Sequence, residues 1–125
     1  MQTPATILIC DDEPSLRELM RICLGPRYSY AEAGGTAEAI DLVEQLEPDL
    51  LLLDVMMPGG SGLTVVEHLR RNPRLASTPV VVISAFTAEA DRRAALEAGA
   101  TDFLEKPFDP EHLEALVEEL LAQAQ

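Results

Sequence analysis

A doubly wound α/β fold of five strand and helix units follows from two observations. Short continuous apolar runs alternate with longer stretches of helical periodicity along the chain, which is the pattern of buried parallel strands joined by covering helices. In addition, 47% of residues are apolar but only 4% aromatic, with no Trp, which suits a core of Leu, Val, Ile and Ala. With 125 residues the chain is one domain's worth of material, large enough to bury about two thirds of its unfolded surface. A single domain over 1–125, with a core of about 5–122, is expected.

The runs Thr6 to Cys10, Asp49 to Leu53 and Val80 to Ser84 are too short to be interior helices and predict buried strands. After the first, Leu16, Leu19, Met20, Cys23 and Leu24 recur at helical spacing from Pro14, and Gly25-Pro26 ends that helix. Tyr28 to Ala33 is a half-polar strand suited to a sheet edge; Gly34 and Gly35 then turn the chain into a helix carrying Ala39, Ile40, Val43 and Leu46, which Pro48 stops. Ser61 is the expected N-cap of a third helix with Leu63, Val66 and Leu69 inward, closed by Asn72-Pro73. Residues 88–98 are rich in helix formers and end at Gly99; Thr101 to Leu104 is a short strand. The last helix has Asp109 as N-cap, Pro110 at its first position and Leu113, Leu116, Val117, Leu120 and Leu121 as its buried stripe. Right-handed crossovers make this a three-layer sandwich. The flavodoxin-like strand order 2-1-3-4-5 puts the half-polar second strand and the short fifth one at the edges.

Charge excludes several functions. Twenty-two acidic residues against nine basic ones give a net charge of −13, so duplex DNA and anionic lipid are repelled by the domain itself. The start, MQTPATILIC, lacks a signal-peptide pattern, and no apolar run approaches the length of a membrane span, which makes the cytoplasm the expected location. Cys10 and Cys23 are expected to be small buried hydrophobes, since neither has the neighbours of a zinc site.

The order 2-1-3 makes the first and third strands neighbours, so Asp11, Asp12 and Asp54 meet at their C-terminal ends, where open α/β sheets bind ligands. Three like charges in close proximity repel unless a cation or donors neutralise them, which points to a metal. Ser84-Ala85 brings a hydroxyl to the same edge and Lys106-Pro107 an ammonium. Glu13 is expected to cap the first helix, Met57 to fill core, and His68 and His112 to be ordinary surface or boundary residues.

With these pieces in order, the chain resembles the receiver domain of two-component response regulators over essentially its whole length. The resemblance rests on CDDEP, on LLLDVMMPGGSG around Asp54, on VVISA and on GATDFLEKPF. It implies Asp54 as phosphoryl acceptor, and Asp11, Asp12, Asp54 and the Met56 backbone carbonyl as ligands of Mg²⁺, with Mn²⁺ as an alternative. It also implies Ser84, Lys106 and the backbone N–H groups of Val55 and Ala85 as phosphoryl contacts, Ser84 and Phe103 as switch residues, and a cis peptide between Lys106 and Pro107. The implied donor is a phosphohistidine on a sensor histidine kinase or a histidine phosphotransfer protein. The implied output surface is the fourth helix, fifth strand and fifth helix, roughly Ala88 to Leu121, read by a downstream protein or a covalently linked output domain. The domain is then a phosphoacceptor switch that assists its own phosphorylation and dephosphorylation, not an enzyme acting on an external substrate.

Two departures shape the expectation. Receivers of the winged-helix DNA-binding subfamily commonly carry basic residues along the last helix, whereas EHLEALVEELLAQAQ has no Arg or Lys. A monomer is therefore expected when unphosphorylated, with Arg92 and Arg93 left to meet an acidic partner. Met56 and Phe86 occupy positions that flank the path of water in this family, and two apolar side chains there imply slow self-dephosphorylation. A binding module on the same fold without phosphorylation would be favoured by loss of Asp54, the acidic pair or Lys106, and none is lost. A haloacid-dehalogenase-type phosphatase needs a second Asp two residues after its nucleophile, a spacing that CDDEPS lacks.

Overall fold

The chain's apolar runs become the middle layer of the fold. In the computed structural model, which describes residues 3–85 and 89–123, β1 (Thr6–Cys10), β2 (Ser29–Ala33), β3 (Leu50–Asp54), β4 (Val80–Ser84) and β5 (Asp102–Glu105) form one sheet. All its pairings are parallel, in the order β2-β1-β3-β4-β5, so the flavodoxin-like topology expected from the sequence is present. The helices are α1 (Pro14–Leu24), α2 (Thr36–Leu46), α3 (Leu63–Arg71), α4 (Glu89–Ala98) and α5 (Pro110–Gln123).

Strand alternation sorts the core into two halves. Ile7, Ile9, Leu50, Leu52, Val81, Ile83 and Leu104 pack under α1 and α5, against Met20, Leu24, Leu113 and Val117. Leu8, Cys10, Leu51, Leu53, Val80, Val82 and Phe103 pack under α2, α3 and α4, against Ala39, Val43, Val66, Leu69 and Ala95. The central strands β1, β3 and β4 are buried on both faces, which is why they read as unbroken apolar runs without alternation. The five residues predicted as the stripe of α5 are all buried.

Some details differ from expectation. β3 and β5 each begin one residue later, because Asp49 and Thr101 use their side chains outside the ladder. Asp49 Oδ2 accepts from the Thr6 N–H at 2.7 Å, and Thr101 Oγ1 accepts from the Val80 N–H at 2.9 Å. The cap position of α3 is Gly62, although Ser61 Oγ still accepts from the Leu63 N–H at 3.2 Å. Glu13 holds the cap position of α1 but its side chain makes no capping bond; Asp11 Oδ1 accepts the Glu13 N–H instead, at 2.9 Å. Leu19 and Leu46, predicted inward, are each 44% exposed, because α1 and α2 bury narrower stripes than their periodicity allows. Cys10 is buried as expected, while Cys23 is only half-buried.

Candidate metal and phosphoacceptor site

Alternation also decides which side chains share a side of the C-terminal edge. Asp54 continues the row Leu50, Leu52 on β3, whereas Ser84 continues the row Val80, Val82 on β4, the side that also carries Phe103. Asp11 directly follows β1, and its N–H donates to the Ala33 carbonyl of β2 at 3.0 Å. The turn between β1 and α1 therefore starts in register with the sheet. Asp11 is fully buried, Asp54 is 5% exposed and Asp12 is exposed.

One oxygen from each of Asp11, Asp12 and Asp54 lies within 4.8 Å of the others, so the three predicted carboxylates do converge. Lys106 Nζ donates to Asp54 Oδ2 at 2.9 Å and to Asp11 Oδ2 at 3.1 Å. Burial lowers the Lys106 pKa, but hydrogen bonds and charges from Asp54 and Asp11 outweigh that effect and hold it above the ordinary lysine value. The lysine is fixed there by its backbone: its N–H donates to the Ser84 carbonyl at 2.9 Å, and the Lys106-Pro107 bond is cis, as the resemblance implied. One ammonium against three carboxylates leaves negative charge in excess, and among the described residues no hydrogen bond or ion pair reaches Asp12. An all-oxygen set with surplus negative charge fits a hard divalent cation.

The segment after Asp54 forms one wall. Asp54 Oδ1 accepts the Met56 N–H at 2.9 Å, and Met56–Met57 pairs antiparallel with Gly60–Ser61 in a small ribbon absent from the predicted elements. Two glycines explain why the sequence can turn there: Gly60 has φ +116°, and a Cβ on Gly62 would lie 2.6 Å from the Asp54 carbonyl oxygen. Thr36 holds the ribbon from α2, its N–H donating to the Pro58 carbonyl at 3.1 Å and its hydroxyl to the Gly60 carbonyl at 3.2 Å.

An open cavity of about 610 Å³ runs from this wall beneath α4, lined by Asp12, Met57, Leu63, Ser84, Ala94 and Phe103 among others. Ser84 is buried and Phe103 is 6% exposed, with the Arg92 guanidinium 5.6 Å from the centre of its ring. Arg92 is thus partly engaged by the aromatic ring, while Arg93 is exposed. Met57 is buried as predicted, but Met56 is 57% exposed. Phe86 and Ala88 lie outside the described residues. His68 binds Glu44 at 2.7 Å on the α2 and α3 surface, and His112 is exposed.

Sequence reasoning missed Gly62, Thr36, Arg17 and Glu32. Arg17 donates through Nη1 to the Asp11 carbonyl and through Nε to Glu32 Oε1 at 2.8 Å. The three glycines of GGSG were a visible signal for the first; nothing in the spacing marked the others.

The profile of the response regulator receiver domain matches residues 7–118. The DNA-binding response regulator MtrA of Mycolicibacterium smegmatis is 41% identical over 112 residues, 89% of this chain and 48% of that protein. The phosphate regulon transcriptional regulatory protein PhoB of Escherichia coli is 37% identical over 116 residues, 92% of this chain and 51% of that protein. The chain thus spans about half the length of these curated relatives. A crystal structure of a protein described as a response regulator from Chloroflexus aurantiacus J-10-fl superposes with a TM-score of 0.90 at 34% identity, covering 96% of this chain and 99% of that one.

Proposed function

The chain belongs to the response regulator receiver domain family, and from that premise we propose that it is a phosphorylation-activated switch whose acceptor is Asp54. The observation that carries this reading is the state of the Asp54 carboxylate. It is nearly buried, gripped by Lys106 Nζ and the Met56 N–H, and set beside two further carboxylates at the open end of the sheet.

Asp11, Asp12 and Asp54, with the Met56 carbonyl, would hold Mg²⁺ or Mn²⁺. The bound ion supplies positive charge where two anions, a carboxylate and a phosphoryl group, must approach one another. Lys106 contributes a second cation, and Ser84 with the N–H groups of Val55 and Ala85 gives donors for the phosphoryl oxygens. An Asp54 oxygen attacks phosphorus as the bond to the donor's imidazole nitrogen breaks; a sensor histidine kinase or histidine phosphotransfer protein would supply that donor. New acceptor oxygens on Asp54 then draw Ser84 inward, and the output surface of α4, β5 and α5 responds through Phe103.

The named DNA-binding role of a relative twice as long supports an output domain linked to receivers of this kind. A charge of −13 argues that this domain itself does not contact DNA, the lack of any Arg or Lys along α5 argues for a monomer before phosphorylation, and the family's role as a target of histidine kinases argues for the cytoplasm. No helix among the described residues is long and apolar enough to cross a membrane. The exposed thioether of Met56 has no group to activate water, which supports a phosphoryl lifetime of minutes or longer; a half-life of seconds in Mg²⁺ without phosphatase would refute it.

Intact-mass analysis after incubation with Mg²⁺ and acetyl phosphate or phosphoramidate tests the acceptor. One phosphoryl group on the parent and none on Asp54→Asn is the expected result. Equal labelling of both would overturn the assignment.

A further inference from the structure

We propose that Arg17 is a positioning residue for the acidic pair, holding the peptide between Asp11 and Asp12 so that both carboxylates face Asp54. The inference rests on the metal reading given above and extends it to a residue outside the ligand set.

The oxygen that Arg17 Nη1 grips is the Asp11 carbonyl, which belongs to the peptide joining the two acidic residues. The plane of that peptide sets the direction in which Asp12 leaves the sheet. Asp11 has other anchors, since its carboxylate meets Lys106 and the Glu13 N–H and its own N–H meets Ala33. Among the described residues Asp12 has none, so its placement depends on its backbone. Three mutually repelling carboxylates would push this turn away from β3 unless its peptide were held.

The guanidinium is itself held. Arg17 Nε donates to Glu32 Oε1 at 2.8 Å, with the arginine side chain 17% exposed and the glutamate 33%. Arg21 steadies the same glutamate, its Nε 3.0 Å from Glu32 Oε2 at an angle too poor for a hydrogen bond, so this contact is an ion pair only. One planar fork therefore ties α1, the end of β2 and the metal turn together. A lysine, as a single point charge, cannot keep both bonds in that geometry.

The test is calorimetric titration with Mg²⁺ of the full chain, with circular dichroism as a check on folding. The variants are R17M, R17K, E32Q and R17M/E32Q. R17M is expected to bind Mg²⁺ about tenfold more weakly with a parent-like spectrum, E32Q severalfold more weakly, and R17K to recover only part of the loss. The double variant is expected to bind no worse than R17M, because Glu32 acts through Arg17. A folded R17M that binds within twofold of the parent overturns the inference, as does simple addition of the two losses. Should R17M fail to fold, parent-like affinity in both R17K and E32Q overturns it equally. A parent that binds no Mg²⁺ overturns the metal reading itself, which separates the two failures.

Discussion

Under the starts of β4 and β5, at the N-terminal end of the sheet, Arg70 sits among neutral oxygens, whereas at the C-terminal end three carboxylates lie around the Lys106 ammonium. Arg70 donates from Nε to the Gly99 carbonyl at 2.9 Å and from Nη1 to the Thr78 and Ala76 carbonyls at 2.8 and 3.1 Å. Burial lowers its pKa, and no carboxylate pairs with it among the described residues. These three contacts close loop backbone, tying the end of α3 to the turns before β4 and β5, and Nη2 adds a longer contact to Thr101 Oγ1 at 3.5 Å. Lys106 instead reaches two carboxylates, and among the described residues no cation pairs with the third. One edge has its hydrogen bonding completed by the fold; the other keeps charge in excess that only something from outside can neutralise. On the function proposed above, the first contact set is structural and the second is the working one, and the surplus charge is what distinguishes them.

Exchanging damage between the edges should separate the two roles. Asp54→Asn is expected to abolish phosphoryl uptake from acetyl phosphate while the protein stays folded. Arg70→Met is expected to do the reverse. Three carbonyls lose their donor, which costs about 2 kcal/mol in urea denaturation, and Mg²⁺ affinity stays within twofold of the parent. A large loss of Mg²⁺ binding in Arg70→Met would break the distinction.

Mg²⁺ should also stabilise through one edge only. At a hundredfold excess over Kd, a ligand of the folded state adds about 2.7 kcal/mol. The parent and Arg70→Met should both gain a shift of this size in thermal unfolding, and Asp12→Asn much less. Equal gains in all three would place the ion elsewhere.

The smallest effect is one of pH. Because the Lys106 pKa is raised in the folded state, its stabilising contribution is fully present below the ordinary lysine value of 10.5 and is lost as pH rises through the higher folded value. Lys106→Met should therefore flatten the alkaline limb of a stability curve and leave the region below pH 9 parallel to the parent's. A parallel curve above pH 10 as well would show that the ion pairs with Asp11 and Asp54 contribute nothing there.

Legibility differed between the two edges for a physical reason. Buried parallel strands must be apolar throughout, so the strand order and the convergence of Asp11, Asp12 and Asp54 could be read from three runs and the residues that end them. The resemblance added the roles of Ser84, Phe103 and Met56 and the cis bond before Pro107, of which the last is present and Phe103 lies buried beside the site. Arg70 and Arg17 could not be read in this way. Arg70 acts on carbonyl groups that every residue possesses, and Arg17 on one such carbonyl and on a glutamate fifteen residues away on another element, a separation that no local spacing marks in the sequence. Leu19 and Leu46 failed in the opposite direction: periodicity fixes which side of a helix is apolar but not how much of it the neighbouring layer covers.

The central claim is that these carboxylates share one divalent ion, and anomalous scattering from crystals soaked in Mn²⁺ tests it most directly. The account predicts a single peak bound by Asp12 and Asp54 carboxylate oxygens and the Met56 carbonyl, at roughly 2.0 to 2.3 Å, with Asp11 in the same ligand shell. No peak at saturating Mn²⁺, or a peak that spares Asp12 and Asp54, would contradict it.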